Sequence, residues 1–183
     1  MDEQEAIRLC QQGDREAFRT LVERYQDILL GTALLMTGDP ALAEDLVQEA
    51  FLAAWQGMGG FDTRRPLKPW LVRILVNKAL NTLRRRGQPA VPLDAATTHS
   101  ALADPTEVAL RRERHHALRE ALATLPSEHR QALLLRYYTD LTVPEIAHAL
   151  GWREGTVKSR LHRALAHLRE VLGPRLGEEG TKA

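Results

Sequence analysis

Along the whole chain the apolar residues recur at three- and four-residue intervals, and no alternating, strand-like pattern persists anywhere. That single feature confines the chain to helix-on-helix packing, so the expected fold class is all-α. The punctuation agrees with it. Asp14 can cap a long helix that carries Phe18, Leu21, Val22, Tyr25, Ile28 and Leu29 on one face. Gly38-Asp39-Pro40 reads as a stop followed by a restart, with Asp39 as N-cap and Pro40 at the first helical position. The next helix runs to about Gln56 and buries Leu46, Val47, Ala50, Phe51 and Ala54. Gly57 to Gly60 is a break, Phe61 to Pro69 an aromatic and basic loop, and Trp70 to about Arg86 a third strong helix.

From Gly87 to Pro105 the helical period disappears into Pro, Ala and small polar residues, which reads as a flexible linker. Its root-mean-square span is ~25 Å and its full stretch about 60 Å. Helices are expected from about Asp104 to Leu125 and from Ser127 to Tyr138, with two shorter elements after them. The organisation is therefore two small helical domains on a tether: residues 1–86, a linker at 87–105, a C-terminal domain at 106–173 and a tail at 174–183. The 183 residues, 44% of them apolar, suffice for two small cores and exclude collagen-like or wholly disordered chains. The single cysteine, Cys10, excludes an intrachain disulfide and a cysteine-based zinc site. It reads as a small buried apolar residue. The longest near-apolar stretch, Ile28 to Met36, is far short of the ~18 residues of a membrane span. The acidic start, Asp2 to Glu5, is unlike a secretory leader. No membrane insertion is expected, and the location is expected to be cytoplasmic.

The net charge of +1 conceals segregation. Residues 1–62 balance at −8, residues 63–93 at +8 with no acid among them, residues 94–150 at −2 and residues 151–183 at +3. Two separate basic stripes behind an acidic head imply two polyanion contacts and a partner surface of a different kind.

The C-terminal stripe has a recognisable frame. Thr142-Val143-Pro144-Glu145 has the form of a capping box. Ala147, Gly151 and Val157 follow at the offsets of a helix-turn-helix: a small residue where the helices cross, glycine in the turn, a β-branched anchor on the second helix. With Val157, Leu161, Ala164 and Leu165 inward, the other face presents Thr156, Ser159, Arg160, Arg163 and His167, flanked by Arg153, Lys158 and His162. Arginine can bond guanine bidentately in the major groove, while Ser, Thr and Lys can hold phosphates. Duplex DNA is the expected ligand, through Arg153, Thr156, Lys158, Ser159, Arg160 and Arg163.

The N-terminal stripe has other chemistry. Trp70, Arg73, Asn77, Asn81 and Arg84 share one face of the third helix, opposite Leu71, Leu75, Ala79 and Leu83. An indole, carboxamides and guanidinium groups together suit unstacked bases, because aromatic and Arg planes stack and Asn bonds base edges. Phe61, Arg64, Arg65 and Lys68 in the preceding loop extend this surface. On the acidic helix, Asp45, Gln48, Leu52 and Trp55 recur at +3, +7 and +10, with Glu49 one turn from Asp45, a strip suited to docking on another protein's helices.

These segments resemble the extracytoplasmic-function (ECF) sigma factors, small members of the sigma-70 family of bacterial RNA polymerase initiation factors. The resemblance rests on Ala43-Glu44-Asp45-Leu46-Val47-Gln48-Glu49-Ala50-Phe51, on Trp70-Leu71 through Asn77, on Glu145-Ile146-Ala147, and on Gly155-Thr156-Val157-Lys158-Ser159-Arg160-Leu161 with Arg163-Ala164. It spans roughly residues 5–172. It implies a non-enzymatic subunit without cofactors that directs core RNA polymerase to promoter DNA. Asp45, Gln48, Glu49 and Leu52 would dock on the polymerase. Residues 1–86 would be sigma region 2, whose loop from Phe61 and helix from Trp70 melt and read the −10 element with a base turned out. Residues 106–173 would be sigma region 4, reading the −35 element as duplex. An anti-sigma factor commonly masks both domains in this family and is an expected partner. The sequence departs from the family at Arg153, where Ser or Pro is frequent, and at Lys78 and Asn81, near a position often acidic.

Two other classes fit parts of the sequence. A helix-turn-helix regulator that does not replace sigma would have no need of the Trp70–Arg84 stripe. An enzyme could use Glu113-x-x-His116 and Glu145-x-x-His148, which have di-iron carboxylate spacing, but the second pair lies on a two-turn helix already committed to DNA binding. No nucleophile–base pattern or phosphate-binding glycine loop occurs.

Overall fold

The computed structural model describes residues 1–87, 116–118 and 120–176; the expected linker and the start of the helix expected after Asp104 lie outside them. All regular structure among the described residues is helical, in keeping with the all-α expectation. The N-terminal half holds α1 (Glu3–Gln11), α2 (Arg15–Thr37), α3 (Pro40–Gly57), a single 3₁₀ turn (Met58–Gly60) and α4 (Leu67–Arg85).

Local chemistry sets the boundaries. Asp14 Oδ1 accepts from the amides of Glu16 (2.9 Å) and Ala17 (3.1 Å), and Asp39 Oδ1 from that of Leu42 (3.1 Å). Gly38, at φ 70°, ends α2 in the left-handed region that glycine enters without strain. The fourth helix starts earlier than its pattern predicts. Leu67, Lys68 and Pro69 form its first turn, where amides have no intrahelical acceptor, so Pro69 loses no hydrogen bond there.

The four helices close around Leu21, Leu29, Met36, Leu46, Leu71 and Leu75, none more than 2% exposed. Burying a leucine side chain in this way is worth roughly 1.5–3 kcal/mol. Ala43, Ala50, Ala54 and Ala79, also fully buried, let the helix axes approach closely. Cys10 is buried on α1, and burial is the main cause that pushes its thiol up to about 11, so it is inert. Gln11 Nε2 ties α1 to the turn after α3 by donating to the carbonyls of Met58 (3.2 Å) and Phe61 (2.8 Å).

In the C-terminal half, helical residues 116–118 and 120–123 are followed by α5 (Ser127–Tyr137), α6 (Val143–Leu150) and α7 (Glu154–Leu176). Helix α7 runs past Leu172 into the expected tail. Arg130 Nη1 donates to the carbonyls of Leu122 and Ala123, both at 3.3 Å, and Leu125, closing the preceding helical segment onto α5. Glu145 Oε2 accepts from both the amide and the hydroxyl of Thr142 at 2.7 Å, one arm of the capping box. Gly151 makes the turn between α6 and α7 at φ 68°. Helix α6 also packs against α4, and α5 meets α2, so the two halves lie against one another. No described helix is long and apolar enough to cross a membrane.

Candidate nucleic-acid interface

The α4 stripe is laid down by its period. Leu67, Leu71, Leu75, Ala79 and Leu83 are buried, which turns Asn77, Asn81 and Arg84 to solvent and leaves Trp70 and Arg73 half-buried at the rim. The indole of Trp70 is seated firmly. It lies 4.9 Å, centroid to centroid, from Phe61 at 46°, and a Cβ on Gly57 would come within 3.3 Å of it. Phe61 itself is only 7% exposed. Its place is therefore beneath Trp70, where it orients the indole, and its ring is not available at the surface as expected from its loop position.

Arg64 and Arg65 are exposed but not unopposed. Asp62 accepts from Arg64 Nε and Nη2, both at 2.9 Å, and lies 3.7 Å from Arg65. The Arg64 hydrogen bond is the main cause that lowers the Asp62 carboxyl from 3.8 to about 2. This acid stands one residue before the acid-free run, so a charge count over 63–93 passes it by. Lys78 Nζ donates to Glu49 Oε2 at 3.0 Å, joining α4 to the acidic helix. On that helix Asp45, Gln48, Glu49 and Leu52 are all exposed, Leu52 to 58%. Trp55 is instead half-buried edge-on against Phe18, at 5.0 Å.

On α7, Val157, Leu161 and Ala164 are buried as their register requires. Arg153, Lys158, Ser159, His162 and Arg163 are exposed, and Thr156 is half-buried. Arg160 differs from its neighbours. Its guanidinium carbon sits 3.8 Å from the centre of the Trp152 ring, and its Nη1 is enclosed without a hydrogen-bond partner. Burial, followed by the positive charge of Arg160 and then Arg163, lowers the pKa of His129 on α5, which places Arg160 toward that helix. Trp152 is the residue that periodicity did not single out; only its position after the turn glycine marks it. His167 faces Thr124, with Nε2 2.6 Å from its hydroxyl.

Of the carboxylate–histidine pairs, Glu145 is engaged with Thr142 and His148 meets Arg73, while Glu113 lies outside the described residues. Among the described residues no group of His, Cys, Asp or Glu could hold a metal ion.

Comparison with known proteins assigns both halves. Sigma-70 region 2 matches residues 21–88, and Sigma-70 region 4 matches residues 115–168. The ECF RNA polymerase sigma factor SigW of Bacillus subtilis is 32% identical over 177 residues, covering 91% of this chain and 94% of that protein. SigL of Mycobacterium tuberculosis, another ECF RNA polymerase sigma factor, is 37% identical over 158 residues, covering 84% of this chain and 88% of its own. Among solved structures, the sigma factor RpoE of Bartonella quintana, crystallised with the anti-sigma factor NepR, superposes with a TM-score of 0.63 at 27% identity, covering 85% of this chain and 96% of that one. The match to region 2 removes the reading of a helix-turn-helix regulator that leaves sigma in place. With a basic aromatic helix in the first half, a helix-turn-helix in the second, and relatives that align along nearly their whole lengths, the chain belongs to the ECF sigma factors of the sigma-70 family.

Proposed function

We propose that this chain binds core RNA polymerase and directs promoter-specific initiation, holding DNA through two surfaces that meet it in different states. The observation that carries this reading is the contrast between α4 and α7. One displays a braced indole, two exposed carboxamides and arginine, and the other displays arginine, lysine and serine on a helix-turn-helix.

The −10 element meets α4 and the loop before it. Trp70 stacks on an unpaired base, Asn77 and Asn81 bond base edges, and Arg64, Arg65, Lys68, Arg73 and Arg84 neutralise the strand's phosphates. Phe61 acts as the positioning residue behind Trp70. The −35 element meets α7 as duplex: Arg163 reads bases, Arg153, Lys158, Thr156 and Ser159 hold the backbone, and Arg160 is steadied by Trp152. Asp45, Gln48, Glu49 and Leu52 dock on core polymerase, an exposed leucine among acids and an amide being the composition of a helix-docking strip. The domains follow as residues 1–86, 87–105 and 106–173. An anti-sigma partner is supported by the likeness to RpoE of Bartonella quintana, which was crystallised with one. A factor that works with polymerase on promoters belongs in the cytoplasm.

The protein performs no bond chemistry. It supplies binding energy that is larger for the opened promoter than for the closed one, and so shifts that equilibrium. Run-off transcription on a promoter library with core enzyme tests the reading. Transcripts that start at defined sites only when the protein is added are expected; equal transcription without it contradicts the reading.

A further inference from the structure

Helix α1 lies ahead of the Sigma-70 region 2 match, which begins at residue 21, yet its side chains hold the loop that precedes α4. Gln11 Nε2 donates to the carbonyls of Met58 and Phe61, and Gln4 Nε2 to that of Thr63 at 3.4 Å. The Met58 carbonyl also accepts the Phe61 amide at 3.0 Å, so the turn and the glutamine meet on one oxygen. Asp62 orders the rest of the loop from within, its Oδ1 accepting the Arg64 amide at 3.1 Å. The helix that makes these bonds is itself fixed to α2. Glu3 Oε2 accepts from the Tyr25 hydroxyl and from Arg24 Nη1, the latter at 3.3 Å. Ala6, Ile7 and Cys10, none more than 4% exposed, bury its inner face. One side of α1 is thus seated in the core while its glutamines grip a loop.

That loop carries Phe61 to its place beneath Trp70, 4.9 Å away from ring to ring. We infer that α1 is a strut for promoter opening: Gln11 and Gln4, as positioning residues, fix the 61–65 backbone, and through Phe61 the Trp70 indole, in the geometry that receives an unpaired base. The inference rests on the reading of α4 as the helix that meets opened −10 DNA. Neither glutamine is placed on the strand. Each supplies a donor to a carbonyl of the turn or loop, and so removes backbone freedom that DNA binding would otherwise have to remove. Both glutamines are exposed, so losing their donors leaves the carbonyls to water and the core intact. The loop loosens while the fold stays. The two bonds of Gln11 together are worth about threefold to tenfold in the population of the ordered loop.

Gln11→Met and the double variant Gln4→Met/Gln11→Met test this, because methionine keeps the length of the side chain, suits a helix and has no donor. Gln12→Met, at the exposed neighbour, is the control. The full-length proteins are compared by hydrogen–deuterium exchange and by binding to the −35 duplex of a promoter selected by run-off transcription. In the holoenzyme they are compared by permanganate reactivity of the −10 thymines. The expected result for Gln11→Met is faster exchange at residues 61–65 and opening reduced about threefold to tenfold. The double variant should lose more, Gln12→Met should match the parent, and exchange in α2 and α3 and −35 binding should stay unchanged in all. Loop exchange equal to the parent's in both variants overturns the proposal. So does opening within about twofold of the parent in the double variant, or an equal loss in −35 binding. If the double variant does not fold, the same readings on Gln11→Met decide. Failure of the promoter reading looks different: the loop exchanges faster in Gln11→Met, yet the parent itself makes no −10 thymine reactive, and the strut then has no opening to serve.

Discussion

Helices α4 and α7 are both amphipathic, both basic and both built on buried Leu, Val and Ala, yet they present DNA with different chemistry. On α4 the central group is a flat ring braced from behind by Phe61 and crossing close to Gly57. On α7 the single large aromatic nearby, Trp152, turns toward Arg160 and carries the cation on its face. A braced, half-exposed indole is suited to a base that has left its stack. An aromatic used up in holding arginine is not, and in the proposed reading it leaves base contact to Arg163. The state of the DNA that each helix can read is therefore set less by its charge than by what its aromatic residue is doing.

The sharpest way to break this comparison is Trp70→Ala. Stacking on an aromatic is worth ~1–3 kcal/mol per base, so promoter opening is expected to fall by about five- to 150-fold while −35 binding stays intact. Trp70→Phe should recover part of the loss, because a ring still rests on Phe61; permanganate reactivity in the holoenzyme is the readout. Next in size is Arg163→Ala, which should cost ~1–3 kcal/mol in binding the −35 duplex and relax preference at one base pair. Arg160→Ala separates the two arginines. Its guanidinium is committed to Trp152, so base discrimination should change less than with Arg163→Ala, as read from binding to a randomised −35 library.

Leu52→Asp probes the third surface. At 58% exposure the side chain contributes little to the fold, so thermal stability should move by no more than about 0.5 kcal/mol. Binding to core polymerase, followed by anisotropy of labelled protein, should nevertheless weaken about tenfold or more, the loss expected when a central apolar contact is replaced by a charge. The smallest effect concerns the loop. Asp62→Asn removes the carboxylate that opposes Arg64 and Arg65 and should steepen the salt dependence of single-strand binding by about 0.7 of a log unit per log unit of salt. Because the Asp62 carboxyl is lowered to about 2, its clamp is complete above the ordinary aspartate range and is lost only as the pH falls toward 2. The parent protein should therefore show no pH dependence from this pair between pH 5 and 8.

Much of this arrangement was legible before any coordinates. Asp14, Asp39 and Gly151 act locally, through caps and a turn, so their roles follow from residue type and neighbours. The buried faces of α3, α4 and α7 follow from period alone. Other features depend on contacts between distant segments. Nothing near Phe61 in the sequence says that Trp70 will cover it, and nothing near Arg160 says that Trp152, eight residues earlier, will fold back under its guanidinium. Pro69 hid the first turn of α4, because a proline after a loop reads equally as loop. The bond from Gln11 to the Phe61 carbonyl joins residues 50 positions apart, and no spacing rule reaches that far.

The central claim, that one half holds opened DNA and the other paired DNA, is tested most directly by permanganate footprinting of the holoenzyme on one promoter. The account predicts reactive thymines confined to the −10 element and a protected, unreactive −35 element. It further predicts that Trp70→Ala weakens the former by about fivefold or more and leaves the latter unchanged. Normal −10 reactivity with Trp70→Ala, or reactive thymines within the −35 element, would contradict it.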